Sequence, residues 1–259
     1  MRRAAFGRSD DAPKPADSSQ LLGLPAMVES TPVVNSRGAA WQRPPPISSM
    51  DSQSGADRQR ALDELSPGTY LLSGAAYTGR RDLALRFVSE PGCASNAGVV
   101  ISPNDSAETV STRLKTLLAG GEGDQRRGET PDRDALFANY GIIECQSSHR
   151  EEEVQHDGVQ YASTPGALTT VGVRLTNQLE RLAAGDRETV RLGLLSLSTI
   201  LVYTDLETVV EFVSTVRSLL DEFDGTGVLV FNPRMHDDQT VETLAQTVDG
   251  VLDVPDGPR

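Results

Sequence analysis

The sequence predicts an α/β fold in which helices cover both faces of a mostly parallel β-sheet. From about residue 58 onward, segments with strand character alternate with segments of helical periodicity along the 259-residue chain. The central strands are continuous apolar runs, as expected for a sheet buried on both faces. A glycine-opened loop joins the first strand to a helix, and sheets of this type bind ligands at the carboxyl ends of their strands.

The first 57 residues have a different composition from the remainder of the chain. They are rich in proline, serine and alanine and have no periodic apolar pattern. Such a segment buries too little apolar surface to offset the entropy lost on ordering. We therefore predict a disordered N-terminal tail over residues 1–57 and one ordered domain over residues 58–259.

The elements of the first half of the domain follow from apolar periodicity and capping residues. Ser106 is a favourable N-cap for the helix that it precedes. A polar loop, expected to be mobile, covers residues 119–134. In order, we predict a short helix at ADRQRALDEL, a strand at 68–74, a helix at 79–90, a strand at 97–102, a helix at 106–118 and a strand at 139–146.

The second half continues the alternation. Its helices place leucine, valine and phenylalanine on one face, and Asp205 is placed to cap one of them. In order, we predict a helix at 164–183, a strand at 190–198, a helix at 205–223, a strand at 226–232, a helix at 239–248 and a last edge strand at 250–254.

Composition narrows the class of protein. The net charge is −13, and Lys14 and Lys115 are the only lysines among 24 basic residues. Acidic, lysine-poor chains are typical of salt-loving archaea; a GC-rich genome that favours arginine codons is the alternative. The acidity argues against nucleic-acid binding, which requires neutralised phosphates. No apolar run approaches 18 residues, and the N-terminus lacks a signal-peptide core, so we expect a cytoplasmic protein without membrane segments. The two cysteines, Cys93 and Cys145, do not have the spacing of a metal site.

The loop after the first strand has the glycine spacing of a phosphate-binding P-loop. Gly74 and Gly79 are separated by four residues within the stretch LLSGAAYTGRRDLAL. The P-loop motif continues with lysine and then serine or threonine. Here those two positions hold Arg80 and Arg81.

The order of motifs resembles the RecA/KaiC family of P-loop ATPases over roughly residues 59–254. LSPGTYLLSGAAYTGRRDLALRFV resembles the segment around the P-loop, and GVVISPNDSAETV and LGLLSLSTILVYTD resemble the two strands that follow it in the family. SLSTILVYTDLETVVEFV and NPRMHDDQTVETLAQTVDGV are similar to an uncharacterised haloarchaeal branch of KaiC-like single-domain proteins. The resemblance implies a three-layer RecA-like fold, frequent nucleotide binding, and regulatory or signalling roles.

The same resemblance identifies the positions at which this chain departs from the family's chemistry. Arg80 stands in place of the phosphate-binding lysine, and Arg81 in place of the hydroxyl residue that binds Mg²⁺. Leu195 stands in place of the aspartate that holds the metal's water shell. The family's pair of carboxylates, one of which is the general base, falls on Asn104 and Asp105, and a shift of register by one residue leaves Asp105 as the alternative base.

Loss of a general base alone lowers a rate by about 10²–10⁴-fold, and loss of the metal removes several kcal/mol more. We therefore expect a non-hydrolysing regulatory or signalling module, with a slow or metal-independent ATPase using Arg80 and Asp105 as the alternative and a DNA-associated recombinase paralogue as the least favoured reading. No cofactor is required. Two interpretations of the loop remain open. It either binds ATP, ADP or phosphate, or it is purely structural. The residues concerned are Gly74, Thr78, Gly79, Arg80 and Arg81. The expected partner is a second copy of the chain or a regulatory protein.

Three further groups of residues carry weaker signals. His236 with Asp237 and Asp238 suggests either a metal ligand or a helix cap, and a cap at one of the two aspartates is favoured. His149 and His156 fall in a charge-rich loop and are read as solvated. Ser196 and Ser198 are expected on a buried strand, without partners for nucleophilic catalysis.

Overall fold

The structure of the protein is a computed structural model that describes residues 55–89, 96–119, 131–146, 158–185 and 189–254. Its centre is a sheet of seven strands whose pairings are all parallel. The strands are β1 (Gly68–Ser73), β2 (Asn96–Ser102), β3 (Tyr140–Glu144), β4 (Val159–Tyr161), β5 (Thr189–Leu194), β6 (Thr226–Phe231) and β7 (Gly250–Asp253). They lie in the order β4-β3-β2-β5-β6-β1-β7.

Helices cover both faces of this sheet and divide the core into two clusters. The helices are α1 (Gly55–Asp63), α2 (Arg80–Ser89), α3 (Ala107–Leu118), α4 (Arg133–Asn139), α5 (Leu168–Ala183), α6 (Leu197–Tyr203), α7 (Leu206–Glu222) and α8 (Asp238–Thr247). Buried residues of α1 to α4 pack on one face, and those of α5 to α8 pack on the other. The predicted three-layer α/β fold with a parallel sheet is confirmed.

Side-chain caps fix where several helices begin, as the sequence predicts. Ser106 accepts a hydrogen bond from the backbone N–H of Thr109, and Asp205 accepts one from Thr208. Of the two aspartates considered for the last helix, Asp237 is the cap of α8, while Asp238 is the first helical residue. The strand predicted at 250–254 is β7, which lies at an edge of the sheet as expected.

Three local predictions were wrong or incomplete. The strand predicted over 190–198 ends at Leu194, because Ser196 caps a new helix by accepting from the N–H of Thr199; Ser196 and Ser198 therefore do not lie on a strand. The end of the predicted loop 119–134 opens α4, which Asp132 caps through the N–H of Ala135. The short strand β4 was not predicted.

Several predictions concern residues outside the described part of the chain. They concern most of the tail, most of the loop 119–134, and the residues Cys93, His149 and His156. The last three residues of the predicted tail are described, and they begin α1. Within the described residues, no helix is long and apolar enough to cross a membrane.

Candidate functional site

A cleft of about 590 Å³ opens at the carboxyl edge of the sheet. It lies beside the loop Gly74–Gly79, between β1 and α2, and reaches the residues that follow β2, β5 and β6. Its volume is in the usual range for small-ligand sites. Four candidate residues, Thr78, Gly79, Arg80 and Arg81, line it together with Asn104, Asp105 and Leu195. The structure therefore brings the sequence-predicted site residues together, apart from Gly74, which closes the loop behind them.

The backbone of the loop after β1 includes two residues in the left-handed region. Tyr77 and Gly79 have positive φ angles of 64° and 78°. Such an angle is ordinary for glycine but strained for tyrosine. A Cβ on Gly74 would lie 2.6 Å from the carbonyl oxygen of Val254, so only glycine fits there. The Tyr77 ring, in contrast, is fully exposed at the tip of the loop.

Arg80, which the resemblance aligns with the phosphate-binding lysine, has its side chain directed into the protein. Its side chain is only 7% exposed. Its Nε donates to Thr78 Oγ1 at 3.0 Å, and its Nη1 donates to the carbonyl oxygen of Phe231 at the end of β6. The N–H of Gly74 donates to the same carbonyl, and Thr78 Oγ1 donates to the carbonyl oxygen of Ala75. Burial lowers the pKa of the Arg80 guanidinium.

Arg81, which the resemblance aligns with the Mg²⁺-binding hydroxyl residue, forms an ion pair with Asp105. The side chains are 42% and 32% exposed, respectively, so the pair lies at the rim of the cleft. Asp105 is thus the carboxylate that the alternative ATPase reading requires as a base, and a guanidinium already holds it. Nearby, Arg113 donates twice to the carboxylate of Asp82, both times at 3.2 Å.

Leu195, which the resemblance aligns with the metal-holding aspartate, is 1% exposed and belongs to the core cluster that contains Leu72 and Val230. Its neighbours carry hydroxyl and amide groups. Asn104 Nδ2 donates to Thr199 Oγ1 at 2.9 Å, and Thr199 Oγ1 shares a hydrogen bond of 2.8 Å with Ser196 Oγ. These groups offer no carboxylate for a metal. Among the described residues, no group of three or more histidine, cysteine, aspartate or glutamate side chains is arranged to hold a metal ion.

The remaining candidates have structural roles. His236 stacks on Phe231 with ring centres 5.2 Å apart, and burial lowers the pKa of the histidine. Ser198 Oγ accepts from the N–H of Asn232, which ties α6 to the residue after β6.

Sequence reasoning missed Glu144, a buried carboxylate at the end of β3. Its Oε2 accepts from the N–H of Ala107 at 2.7 Å and so lies at the start of α3. An acidic residue inside the apolar run YGIIEC was the available signal, because buried carboxylates require partners.

The chain has a three-layer α/β fold with a parallel sheet, and its glycine-opened loop is followed by two arginines, Arg80 and Arg81. The chain belongs to DUF7504, a family of unknown function, whose family model matches residues 67–254. No curated protein matches the chain.

Two solved structures from the archaeon Pyrococcus horikoshii are among those similar to this chain. The uncharacterized protein PH0321, in complex with an unknown peptide, is similar at a TM-score of 0.54 and 13% identity, over 76% of this chain and 82% of that one. The KaiC-like protein PH0186 is similar at a TM-score of 0.49 and 13% identity, over 73% of this chain and 72% of that one. At these identities the likeness concerns the fold alone.

Proposed function

We propose that this protein is a non-hydrolysing interaction module of RecA/KaiC-like architecture that serves in regulation or signalling. The observation that carries the proposal is the arrangement of the three positions on which Mg-nucleotide hydrolysis would depend. Arg80 donates into the protein, Arg81 pairs with Asp105, and Leu195 is a buried core residue. No group at these positions is free to bind Mg²⁺ or to activate water.

The cleft offers a surface for a peptide-like partner. Tyr77 is fully exposed and Met235 is 59% exposed, and both line the cleft. Exposed aromatic and methionine side chains beside a concave surface are common anchors of protein interfaces. A tyrosine at positive φ is strained, which supports a role for this side chain outside the fold itself. The complex of PH0321 with an unknown peptide also supports this kind of ligand for the fold.

The first test is ATP turnover by the purified protein in molar KCl with Mg²⁺. We expect no turnover above the background of buffer alone. Turnover that disappears in Asp105→Asn, with Glu108→Gln as a surface control, would overturn the proposal in favour of the slow, metal-independent ATPase.

The second test is selection of binders from a random peptide library on the wild-type protein. Peptides that bind through the cleft should lose at least tenfold in affinity, about 1.4 kcal/mol, on Met235→Ser and on Tyr77→Gly. Val173→Ser is the matched control, because Val173 is exposed on α5 and does not line the cleft. Tyr77→Gly should keep or raise the melting temperature, since glycine adopts positive φ without strain. Peptides that bind equally to all three variants would contradict the assignment of the cleft as the binding surface.

The acidity of the chain disfavours the third reading, a recombinase paralogue that binds DNA. Whether the cleft binds a nucleotide without hydrolysing it depends on the position of the Arg80 side chain.

A further inference from the structure

We infer that Arg80 fills the anion-binding position of its own loop, so that the loop is closed to phosphate groups. The inference rests on the proposed function and narrows it, because it removes nucleoside phosphates from the ligands of the cleft. Three contacts of the Arg80 side chain lead to it.

The first step concerns the space inside the loop. A Cβ added to Gly74 would lie 3.1 Å from Arg80 Cδ and 3.4 Å from Thr78 Oγ1, so the arginine stem packs against the backbone at the start of the loop. Its Nε bonds Thr78 near the end of the loop, and its Nη1 bonds Phe231 on the neighbouring strand. The side chain therefore spans the loop from one end to the other, and 93% of its surface is removed from solvent.

The second step concerns electrostatics. The N-terminus of a helix carries partial positive charge and ordinarily favours an anion. Arg80 is the first residue of α2, so its cation lies where the helix disfavours it. Hydrogen bonds to a carbonyl and a hydroxyl oxygen, rather than a favourable helix position, hold it there. A ligand phosphate would have to displace these bonds and the side chain itself.

The third step concerns the neighbouring arginine. Arg81 lies at the rim of the cleft and is paired with Asp105. An anion at the rim would have to compete with that carboxylate, at a site open to solvent and screened by salt. Arg81 at the rim therefore does not provide a strong alternative binding site for a phosphate group.

The experiment measures the melting temperature of the full chain with increasing inorganic pyrophosphate, at constant ionic strength set with KCl. The wild type should show no dependence on pyrophosphate beyond that on a matched concentration of sulfate. Arg80→Ala removes the side chain and should gain a saturable rise of about 3–6 °C at ten times its dissociation constant. Arg80→Met removes the same charge but keeps a long side chain in the loop, and it should show no such rise.

Comparing the alanine and methionine variants separates the effect of emptying the loop from the effect of removing the charge. A saturable rise in the wild type, or an equal rise in both variants, would overturn the inference. If the variants do not fold, the wild-type titration still decides, together with NMR of the Arg80 Nε–H, which should exchange slowly with solvent and keep its shift in pyrophosphate. Pyrophosphate binding without ATP turnover would refute this inference and leave the proposed function standing, whereas turnover would refute the proposed function.

Discussion

Leu195→Asp restores the carboxylate that the RecA/KaiC resemblance expects at the end of β5, and we predict that it destabilises the domain. Leu195 is 1% exposed and packs in the cluster with Leu72 and Val230. Its backbone N–H donates to the carbonyl oxygen of Ile101 at 3.0 Å, which holds this position against the sheet. The backbone at this position is therefore held in place, and the new carboxylate would replace the apolar contacts of the leucine while remaining buried.

Two contributions set the size of the effect. Truncating a buried leucine to alanine costs about 2–5 kcal/mol. Burying a polar group without a partner adds about 1–3 kcal/mol. The hydroxyl groups of Ser196 and Thr199 follow in sequence, but they already bond each other and Thr199 also accepts from Asn104. We expect a total near 3–8 kcal/mol, which is a large part of the stability of an ordinary domain and lowers the melting temperature by about 6–30 °C.

The assay is thermal and urea unfolding of Leu195→Asp, with Leu195→Ala and Leu195→Asn as controls. Leu195→Ala measures the lost packing, and the difference between aspartate and asparagine measures the charge. Burial raises the pKa of an introduced carboxyl above its unfolded value of about 3.9. The stability of the aspartate variant relative to asparagine is therefore highest at low pH and falls as the pH rises through the folded pKa.

A melting temperature of Leu195→Asp within about 2 °C of the wild type at pH 7.5 would refute this reasoning. It would mean that position 195 is not at the buried end of β5, and the correspondence with the metal-holding aspartate of the RecA/KaiC family would fail with it. If the difference in stability between the aspartate and asparagine variants does not depend on pH, the lost packing alone is responsible for the destabilisation.

Three further predictions follow from single contacts. Gly74→Ala should destabilise the protein by several degrees in a thermal melt, because the new Cβ meets the backbone oxygen of Val254, and an unchanged melt would contradict the close approach. Arg81→Ala, Asp105→Ala and the double variant should give a coupling energy of about 0.2–1 kcal/mol by urea unfolding, since the pair is half exposed; a coupling above about 2 kcal/mol would mean that it is buried. Burial raises the pKa of the Cys145 thiol to about 12, so mass spectrometry should find it unmodified by iodoacetamide at pH 8 in the folded protein and modified in urea.

The parts of the fold that the sequence predicted are those with strong local signals. The helices α5 and α7 carry apolar residues on one face over four turns or more, and β2 and β6 are uninterrupted apolar runs. A period of 3.6 or a continuous apolar run leaves few alternatives over such lengths. Capping aspartates and serines fixed the starts of three helices for the same local reason.

The short elements were not predictable in this way. The segment LSTILVY of α6 is rich in β-branched and apolar residues and has the composition of a strand, yet Ser196 caps it as a helix. The strand β4 has only three residues, and its place is set by pairing with β3. In both cases tertiary contacts decide what propensity leaves open.

For the site, motif spacing located the residues but did not orient them. Gly74, Gly79 and Leu195 follow from the resemblance to P-loop proteins, and Gly79 and Leu195 line the cleft. The direction of Arg80 depends on Phe231, which is 151 residues away in sequence. No local pattern contains that partner, so the sequence alone favoured a structural loop but left phosphate binding open.

The contacts of the three substituted positions favour a site with a different use over a site that has only lost its chemistry. A cation left behind by a lost ligand would need a new partner or would destabilise the fold. Here Arg80 is bonded to Thr78 and Phe231, Arg81 to Asp105, and Leu195 completes a core cluster. Each partner lies on a different segment of the chain, so the substitutions are compatible with one another and with their surroundings. Tyr77 is strained and fully exposed at the mouth of the cleft, and it is therefore at this side chain that the search for a binding partner should begin.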